Sequence, residues 1–213
     1  MSGSDLRQVA DLSQVLQLIK GFPTSRTTDS GEVPVTSIAV LRSGERPKLF
    51  VNAEQMENVE ARLAEVGDVL VAVEGGTVGE SLIVTEKMVG FVASQQAMTL
   101  RVLKNGPLDP WYLAAWLRSD RGRSSLSRLV KGSGIQRIAY RDFLTLEISV
   151  PPLPEQLRIG QLFRTFIKAI EAHKEILSSL ASLLDVEIEA ALTTLEPSNA
   201  SSKVAAISRK ESR

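Results

Sequence analysis

The chain has 213 residues, of which 43% are hydrophobic, enough apolar material for one full-sized domain with an additional segment. It contains no cysteine and one histidine, His173, which excludes disulfides, thiolate metal sites and any site that needs two histidines. Lys plus Arg and Asp plus Glu number 25 each, so the net charge indicates no class of partner. No apolar run reaches the roughly 18 residues that a membrane span needs, and we expect a soluble, cytoplasmic protein.

The charge is unevenly distributed along the chain. Residues 101–141 carry nine Lys or Arg side chains and two acidic ones, a net charge of +7. Residues 54–90 carry eight acidic side chains and two basic ones, a net charge of −6. Two interpretations follow: the two segments pair with each other on the surface, or the basic segment forms a phosphate-facing patch beside an acidic flank.

Up to residue 103 the sequence predicts short strands joined by polar turns. Residues 11–19 favour a strand or a short helix, and a polar loop follows at 24–31. A helix is predicted at 57–66, with Gly67 as its C-terminal stop. Runs of β-branched and apolar residues predict strands at 33–41, 49–52, 69–73, 81–85, 91–94 and 97–103. The run 69–73 is apolar throughout, which is typical of a strand buried on both faces.

Two turns between these strands carry candidate binding residues. Residues 42–48 form a turn with three cations, Arg42, Arg46 and Lys48. Residues 74–79 form a Gly-rich turn that contains Thr77. This turn lacks the Gly-Lys-Ser/Thr ending of a nucleotide-binding loop, and a strand rather than a helix follows it. We interpret it as a tight turn between strands that can place backbone N–H groups near a phosphate.

The remainder of the chain is predicted to be mainly helical. Asp109 is expected to cap a helix in which Pro110 occupies the first turn, and a second helix covers 122–130. A strand at 144–150 is stopped by two prolines, Pro151 and Pro152.

A single long helix is predicted from Pro154 to Leu195. Its apolar residues recur every seven positions, which is typical of a helix packed in a coiled-coil-like seam, and it needs a second helix to cover it. The residues expected at this dimerisation seam are Phe163, Phe166, Ile170, His173, Leu177, Leu180 and Leu184. Residues 196–213 lack periodicity and are predicted to form a disordered tail.

Two features resemble catalytic elements. The run Asp109-Pro110-Trp111-Tyr112 is similar to the Asp/Asn-Pro-Pro-aromatic motif of amino-methyltransferases, with Trp111 in place of the second proline. Its alternative interpretation is the helix cap described above. His173 has no neighbouring acid or nucleophile, so we interpret it as a polar seam residue that can fix register and partner choice. The absence of any other catalytic spacing favours a binding or scaffolding protein over an enzyme.

The run Lys131-Gly132-Ser133-Gly134-Ile135-Gln136 resembles the Lys-Gly-Ser-x-x-Gln loop of specificity subunits from type I restriction–modification systems. The similarity extends over roughly residues 12–192 and is most specific in its C-terminal half. Further matching positions are 67–71, 75–79, 94–96, 109–113, 138, 142–143, 146, 148, 151–153, 155–156 and 159.

This resemblance implies an α+β fold and a binding function. Residues 1–152 would form a mixed, mostly antiparallel target recognition domain with flanking helices, and residues 153–195 a long spacer and dimerisation helix. Full specificity subunits carry two such domains and two such helices, so this chain corresponds to a half-subunit or a fragment. The implied protein is not an enzyme and has no cofactor of its own. It homodimerises on a split double-stranded DNA target and docks a methyltransferase subunit, with a restriction subunit as an additional candidate partner.

The resemblance also implies DNA contacts from polar side chains on loops. The candidate DNA-binding residues are Arg42, Arg46, Lys48, Thr77, Lys131, Ser133, Gln136 and Arg137. Gln136 is suited to adenine and Arg137 to guanine. The alternative for the loop 131–136 is a turn that only shapes the domain. Two other functions stay open at this point: a stand-alone DNA adenine methyltransferase that uses Asp109 to Tyr112, and a helical adaptor without DNA binding.

Overall fold

The computed structural model describes residues 7–9 and 12–195. The chain forms two compact units, and the boundary between them lies between Arg164 and Thr165. The predicted tail at 196–213 lies outside the described residues. None of the helices in the described part of the chain is long and apolar enough to cross a membrane.

A four-stranded antiparallel sheet forms the centre of the first unit. Its strand order is β2 (Leu16–Lys20), β8 (Ala97–Val102), β5 (Val69–Ala72) and β6 (Ser81–Ile83). Every residue of β5 is buried, as the continuous apolar run predicts. For residues 11–19 the sequence favoured a strand or a short helix. The structure has a short 3₁₀ turn, Leu12–Gln14, followed by β2. The predicted strands at 81–85 and 97–103 are confirmed, each slightly shorter than expected.

A second, mixed sheet packs against its own hydrophobic cluster, and one of its strands is shorter than predicted. It contains β4 (Leu49–Val51), β3 (Val33–Thr36) and β7 (Val92–Ala93), with β3 parallel to β7 and antiparallel to β4. The strand predicted at 33–41 ends at Thr36, where the chain turns into helix α1 (Ile38–Ser43). Ser37 ends the strand because its hydroxyl accepts a hydrogen bond from the Val40 amide at 3.3 Å and caps the helix.

The helix predicted at 57–66 is also shorter than expected, because its last residues join the sheet region. Helix α2 covers only Val59–Arg62. Beyond it, the Ala64 amide donates to the Phe91 carbonyl at 2.8 Å, so the backbone leaves the helix to pair with another segment. Asp68 is 2% exposed, and its carboxylate accepts hydrogen bonds from Arg101 Nε at 2.9 Å and Nη2 at 2.7 Å. This bidentate pair ties the start of β5 to β8 and raises the pKa of Arg101.

Two helices follow β8 as predicted. Helix α3 covers Pro110–Arg118, and the Asp109 carboxylate caps it by accepting from the Tyr112 amide at 2.8 Å. Helix α4 covers Asp120–Leu129 and begins two residues before its predicted start. Gly122 lets α4 lie close to α3, because a Cβ there would lie 2.1 Å from the Trp116 carbonyl oxygen.

The strand predicted at 144–150 begins only at Ile148, because turns that follow a short helix take up residues 144–147. Helix α5 (Tyr140–Phe143) is followed by two turns. In these turns the amides of Thr145 and Leu146 donate hydrogen bonds to the carbonyls of Asp142 and Phe143. The strand β9 is therefore limited to Ile148–Val150, which pairs antiparallel with β1 (Arg7–Val9). The α+β class, with an antiparallel and a mixed sheet, is confirmed.

Helix α6 runs from Leu153 to Leu195, as the long periodic pattern predicts. Its first turns are joined to the domain by Gln156, which is 0% exposed. Gln156 Nε2 donates to the carbonyls of Pro107 and Pro151 at 2.8 Å each, and Oε1 accepts from the Asp109 amide at 2.9 Å. One buried amide group therefore satisfies three backbone groups at the junction of α3, β9 and α6.

We expect replacement of Gln156 by Met, of similar volume, to destabilise the protein by about 2–4 kcal/mol. The reason is that two carbonyls and one amide would stay buried without partners. The free energy of unfolding from urea titration measures the effect. Gln96→Met, at an exposed glutamine, is the control and should change stability by less than about 0.5 kcal/mol. Equal stability of the two variants would contradict this role of Gln156.

Candidate nucleic-acid interface

The segment from Lys131 to Arg137 forms a closed hairpin. The amides of Lys131 and Arg137 each donate to the other residue's carbonyl at 2.8 Å. Gly132 adopts a φ of +109°, and a Cβ there would lie 2.5 Å from the Ile135 carbonyl oxygen. Ile135 is 68% exposed on this hairpin. The glycine at position 132 is therefore required by the geometry of the loop.

The Gly-rich turn at 74–79 lies against this 131–137 hairpin. The Gly75 amide donates to the Gln136 carbonyl at 3.1 Å, and the Ile138 amide donates to the Val73 carbonyl at 2.8 Å. Thr77 is exposed on the turn. The backbone thus holds two of the predicted binding loops side by side.

Carboxylates pair with the two cations at the base of the hairpin. Lys131 Nζ lies 2.8 Å from Asp142 Oδ2, and Arg137 Nη2 lies 3.1 Å from Glu74 Oε2. The side chains of Lys131 and Arg137 are 71% and 62% exposed. Surface pairs of this kind contribute at most about 1 kcal/mol, so a phosphate can replace either carboxylate at little cost.

A cleft of about 700 Å³ opens beside the hairpin and the Gly-rich turn. Three arginines line it: Arg42 from α1, Arg118 from the end of α3 and Arg123 from α4. We call it the arginine cleft. Its other lining residues are Val78, Gly79, Glu80, Ser81, Leu117, Ser127, Val130, Gly132 and Gln136.

Carboxylates neutralise the arginine cleft only in part. Arg42 pairs with Glu80 and also donates to the Ser81 carbonyl at 3.2 Å, and Arg123 pairs with Asp120 at 2.6 Å. Arg118 is half-buried, and its pKa is lowered first by burial and then by the positive charges of Arg42 and Arg123. A guanidinium that is repelled by two others gains from a bound anion, so the arginine cleft is suited to a phosphate group.

The structure brings some of the predicted DNA-binding residues together and leaves others apart. Arg42 and Gln136 line the arginine cleft, and Lys131, Ser133 and Arg137 belong to the adjoining hairpin. Arg46 and Lys48 are exposed in the loop after α1 and do not line the cleft.

The sequence prediction missed Arg118 and Arg123 as site residues. Both contribute to the +7 charge of residues 101–141, but helix periodicity alone does not show which arginines share a cleft with the distant Arg42. The one available signal was the arginine density of residues 118–128.

The element that resembles a methyltransferase motif has a structural role. The Asp109 carboxylate caps α3, and Tyr112 is 5% exposed with its hydroxyl donating to the Ser149 carbonyl. Burial raises the pKa of Tyr112, so its hydroxyl stays protonated as that donor. This geometry supports the helix-cap interpretation. Among the described residues no group of three or more His, Cys, Asp or Glu side chains could hold a metal ion.

The residues predicted for the dimerisation seam lie along α6. In the second compact unit of the chain, the side chains of Leu177, Leu180 and Leu184 are 66%, 57% and 60% exposed. Phe166 is 53% exposed, and His173 is exposed with Nδ1 at 2.8 Å from the Ala169 carbonyl oxygen. In the first unit, Phe163 is half-buried. A row of exposed leucines on one helix is unusual for a surface in contact with water alone.

We expect Gly132→Ala to open the hairpin, because alanine at this φ meets the Ile135 carbonyl. The cost should be roughly 1–3 kcal/mol, seen as faster hydrogen exchange of the Lys131 and Arg137 amides. Gly134→Ala is the matched control, since a Cβ there meets nothing within 4 Å. Unchanged exchange in the Gly132 variant would show that the loop tolerates a side chain at this position.

Comparison with known proteins gives one family and several structures. Residues 1–182 match the family model for the type I restriction modification DNA specificity domain. No curated protein is significantly similar to the chain in sequence.

Solved structures share the fold at low identity. The S subunit of a type I restriction–modification system from M. genitalium is 18% identical, with a TM-score of 0.56, over 89% of this chain and 44% of that chain. A chain from a structure of complex assembly and conformational transition in the type I system is 21% identical, with a TM-score of 0.57, over 89% and 45%. The HsdS subunit from Thermoanaerobacter tengcongensis is 22% identical, with a TM-score of 0.57, over 81% and 40%. The chain therefore spans less than half the length of each of these proteins.

Proposed function

The chain belongs to the family of type I restriction–modification DNA specificity domains, and on this basis we propose that it is the sequence-specific DNA-binding subunit of such a system. In this proposal it has neither catalytic activity nor a cofactor of its own. It docks a methyltransferase subunit, with a restriction subunit as an additional candidate partner. The capping role of Asp109 supports the non-catalytic interpretation over a stand-alone methyltransferase.

The arginine cleft beside the 131–137 hairpin is the observation that carries the DNA-binding proposal. Its three guanidiniums are paired with too few carboxylates for the cleft to be neutral. Contacts between arginine and phosphate position a protein on the duplex without recognising its sequence. In our proposal Arg118 and Arg123 hold the DNA backbone together with Arg42. Lys131 and Arg137 exchange their surface carboxylates for phosphates at the same time.

Sequence recognition is assigned to exposed polar side chains around the arginine cleft. Thr77 and Ser133 are exposed on the two adjoining loops. Gln136 belongs to the hairpin and also lines the cleft. Gln136 is proposed to pair with adenine in the major groove. Arg46 and Lys48, on a separate loop, are proposed to extend the backbone contacts.

The long helix is proposed to form a homodimer through its exposed apolar seam. One chain spans 44% of the M. genitalium subunit, so two copies supply about the length of one such protein. The exposed leucines of α6 require a covering surface, and a second copy of the same helix provides one. In the proposal, residues 1–152 recognise one half of a split target and residues 153–195 set the distance between the halves.

The test of DNA binding is selection of bound sequences from a random duplex pool, with the methyltransferase subunit present. We expect an interrupted palindrome, because two identical domains related by a two-fold axis recognise the same half-site in opposite directions. Recovery of no preferred sequence by a correctly folded complex would contradict the proposal.

Arg118→Gln should weaken binding to all duplexes by a similar factor. The slope of log affinity against log salt concentration should fall by about 0.9, the value for one phosphate contact. Arg158→Gln is the control, since Arg158 pairs with Glu155 on its own helix at 2.7 Å. A change of target preference without a change of slope would assign Arg118 to base recognition instead.

Replacing Leu177 and Leu180 together by Asp should convert dimers to monomers. Four carboxylates would then enter the apolar seam of each dimer, and their desolvation opposes association. Light scattering gives the molecular mass, and circular dichroism shows whether the domain stays folded. A wild-type chain that is monomeric at high concentration would contradict the dimer.

A further inference from the structure

Ile135 is the most exposed large apolar residue among the described residues that precede α6. Its exposed fraction is 68%, and the next values are 51% for Val89 and 48% for Val66. All residues from 131 to 137 are exposed, so the hairpin projects from the surface of the domain. Ile138, directly after the hairpin, is only 3% exposed. Ile138 therefore anchors the end of the hairpin in the core, whereas Ile135 is presented to solvent.

The backbone fixes the position of Ile135. The bonds between Lys131 and Arg137 close the hairpin on both sides of it, and the carbonyl of the next residue, Gln136, accepts from the Gly75 amide at 3.1 Å. A Cβ at Gly134, the residue before Ile135, would meet nothing within 4 Å, so open space borders this position. The β-branched side chain of isoleucine also has a restricted χ1. A contact made by Ile135 would therefore cost little conformational entropy.

The charge around the hairpin indicates the class of ligand that Ile135 meets. Residues 121–141 contain six Lys or Arg side chains and no Asp or Glu. The hairpin adjoins the arginine cleft, and the side chains of Lys131 and Arg137 at its base are 71% and 62% exposed. Such a distribution of charge favours a polyanion. Ile135 is thus an exposed apolar group on a surface suited to nucleic acid.

We propose that Ile135 recognises a thymine through contact with its C5 methyl group in the major groove. The inference rests on the proposed DNA binding and assigns to it one residue and one base. The major groove, roughly 12 Å wide, admits a two-stranded hairpin, whereas the minor groove, roughly 6 Å wide, does not admit one without deformation. The thymine methyl is the apolar group that an unmodified base pair presents in the major groove. Ile135 matches this group in polarity.

The contact discriminates between thymine and cytosine. Cytosine presents its N4 amino group in the major groove and has no methyl group. Against Ile135 this amino group would lose water without gaining a hydrogen bond, which lowers the affinity. Gln136, the next residue, lines the arginine cleft, and Ile135 does not. The hairpin therefore offers an amide and an apolar side chain in two different surroundings.

Replacement of thymine by deoxyuridine removes only the methyl group and tests the contact. The duplex carries the sequence recovered by selection, and the protein is the full chain with the methyltransferase subunit. We expect one thymine of the half-site whose replacement weakens binding by roughly fourfold, the value for burial of one methyl group. Ile135→Ala should bind the thymine and deoxyuridine duplexes equally, with the affinity of the wild type for deoxyuridine. Val89→Ala, at an exposed valine outside the hairpin and the cleft, is the control and should keep the difference.

Three results would overturn the methyl contact: an Ile135→Ala variant that keeps the difference between the duplexes, a half-site in which no thymine is sensitive, or a variant that binds both duplexes more weakly than the wild type binds deoxyuridine. The last result would assign Ile135 to insertion between base pairs. Hydrogen exchange of the Lys131 and Arg137 amides shows whether the hairpin is intact. If it opens in Ile135→Ala, Ile135→Val, which keeps the β-branch, should show a reduced difference, and an undiminished one overturns the contact. Selection that recovers no preferred sequence would instead contradict the proposed function itself.

Discussion

The buried amide of Gln156 is the contact on which the arrangement of this protein depends. It bonds two segments that are distant in sequence, the Pro107 to Asp109 approach to α3 and the Pro151 turn into α6. Gly160 completes this junction, because a Cβ there would lie 2.8 Å from the Asp109 carboxylate and 3.0 Å from Trp111 Cβ. Arg164 adds a contact over the Trp111 ring at 5.2 Å. The start of the long helix is thereby fixed by polar satisfaction and close backbone approach, not by apolar burial alone.

In the candidate interface, backbone hydrogen bonds join the loops, whereas the cationic side chains form only exposed ion pairs. The Gly-rich turn and the 131–137 hairpin share backbone hydrogen bonds that leave little freedom in their relative position. Their cations are paired with carboxylates near the surface, where exchange for a phosphate costs little. In the proposed complex, these two loops are already joined to each other by backbone hydrogen bonds, so binding would not require a new arrangement of one against the other.

Much of the fold could be predicted from local pattern, and the failures have identifiable causes. The buried strand at Val69, the cap at Asp109 and the long helix depend on nearby residues, so the sequence indicates them directly. The strand at 33–41 was predicted too long because the capping hydroxyl of Ser37 competes with strand pairing. The helix at 57–66 was predicted too long because Ala64 hydrogen-bonds to Phe91, a contact that periodicity does not record. For the same reason the arginine cleft, which joins Arg42 to Arg118, could not be predicted from spacing along the chain.

The way in which the hairpin and the Gly-rich turn are joined bears on how such a protein can change during evolution. The bonds from Gly75 to Gln136 and from Ile138 to Val73 use backbone atoms only. In the proposed interface, substitution of Thr77, Ser133 or Gln136 would alter the chemical groups offered to the DNA without removing the bonds that place the loops. In the proposed interface, target preference can therefore diversify by single substitutions on a constant frame, while a side chain at Gly132 would disturb that frame.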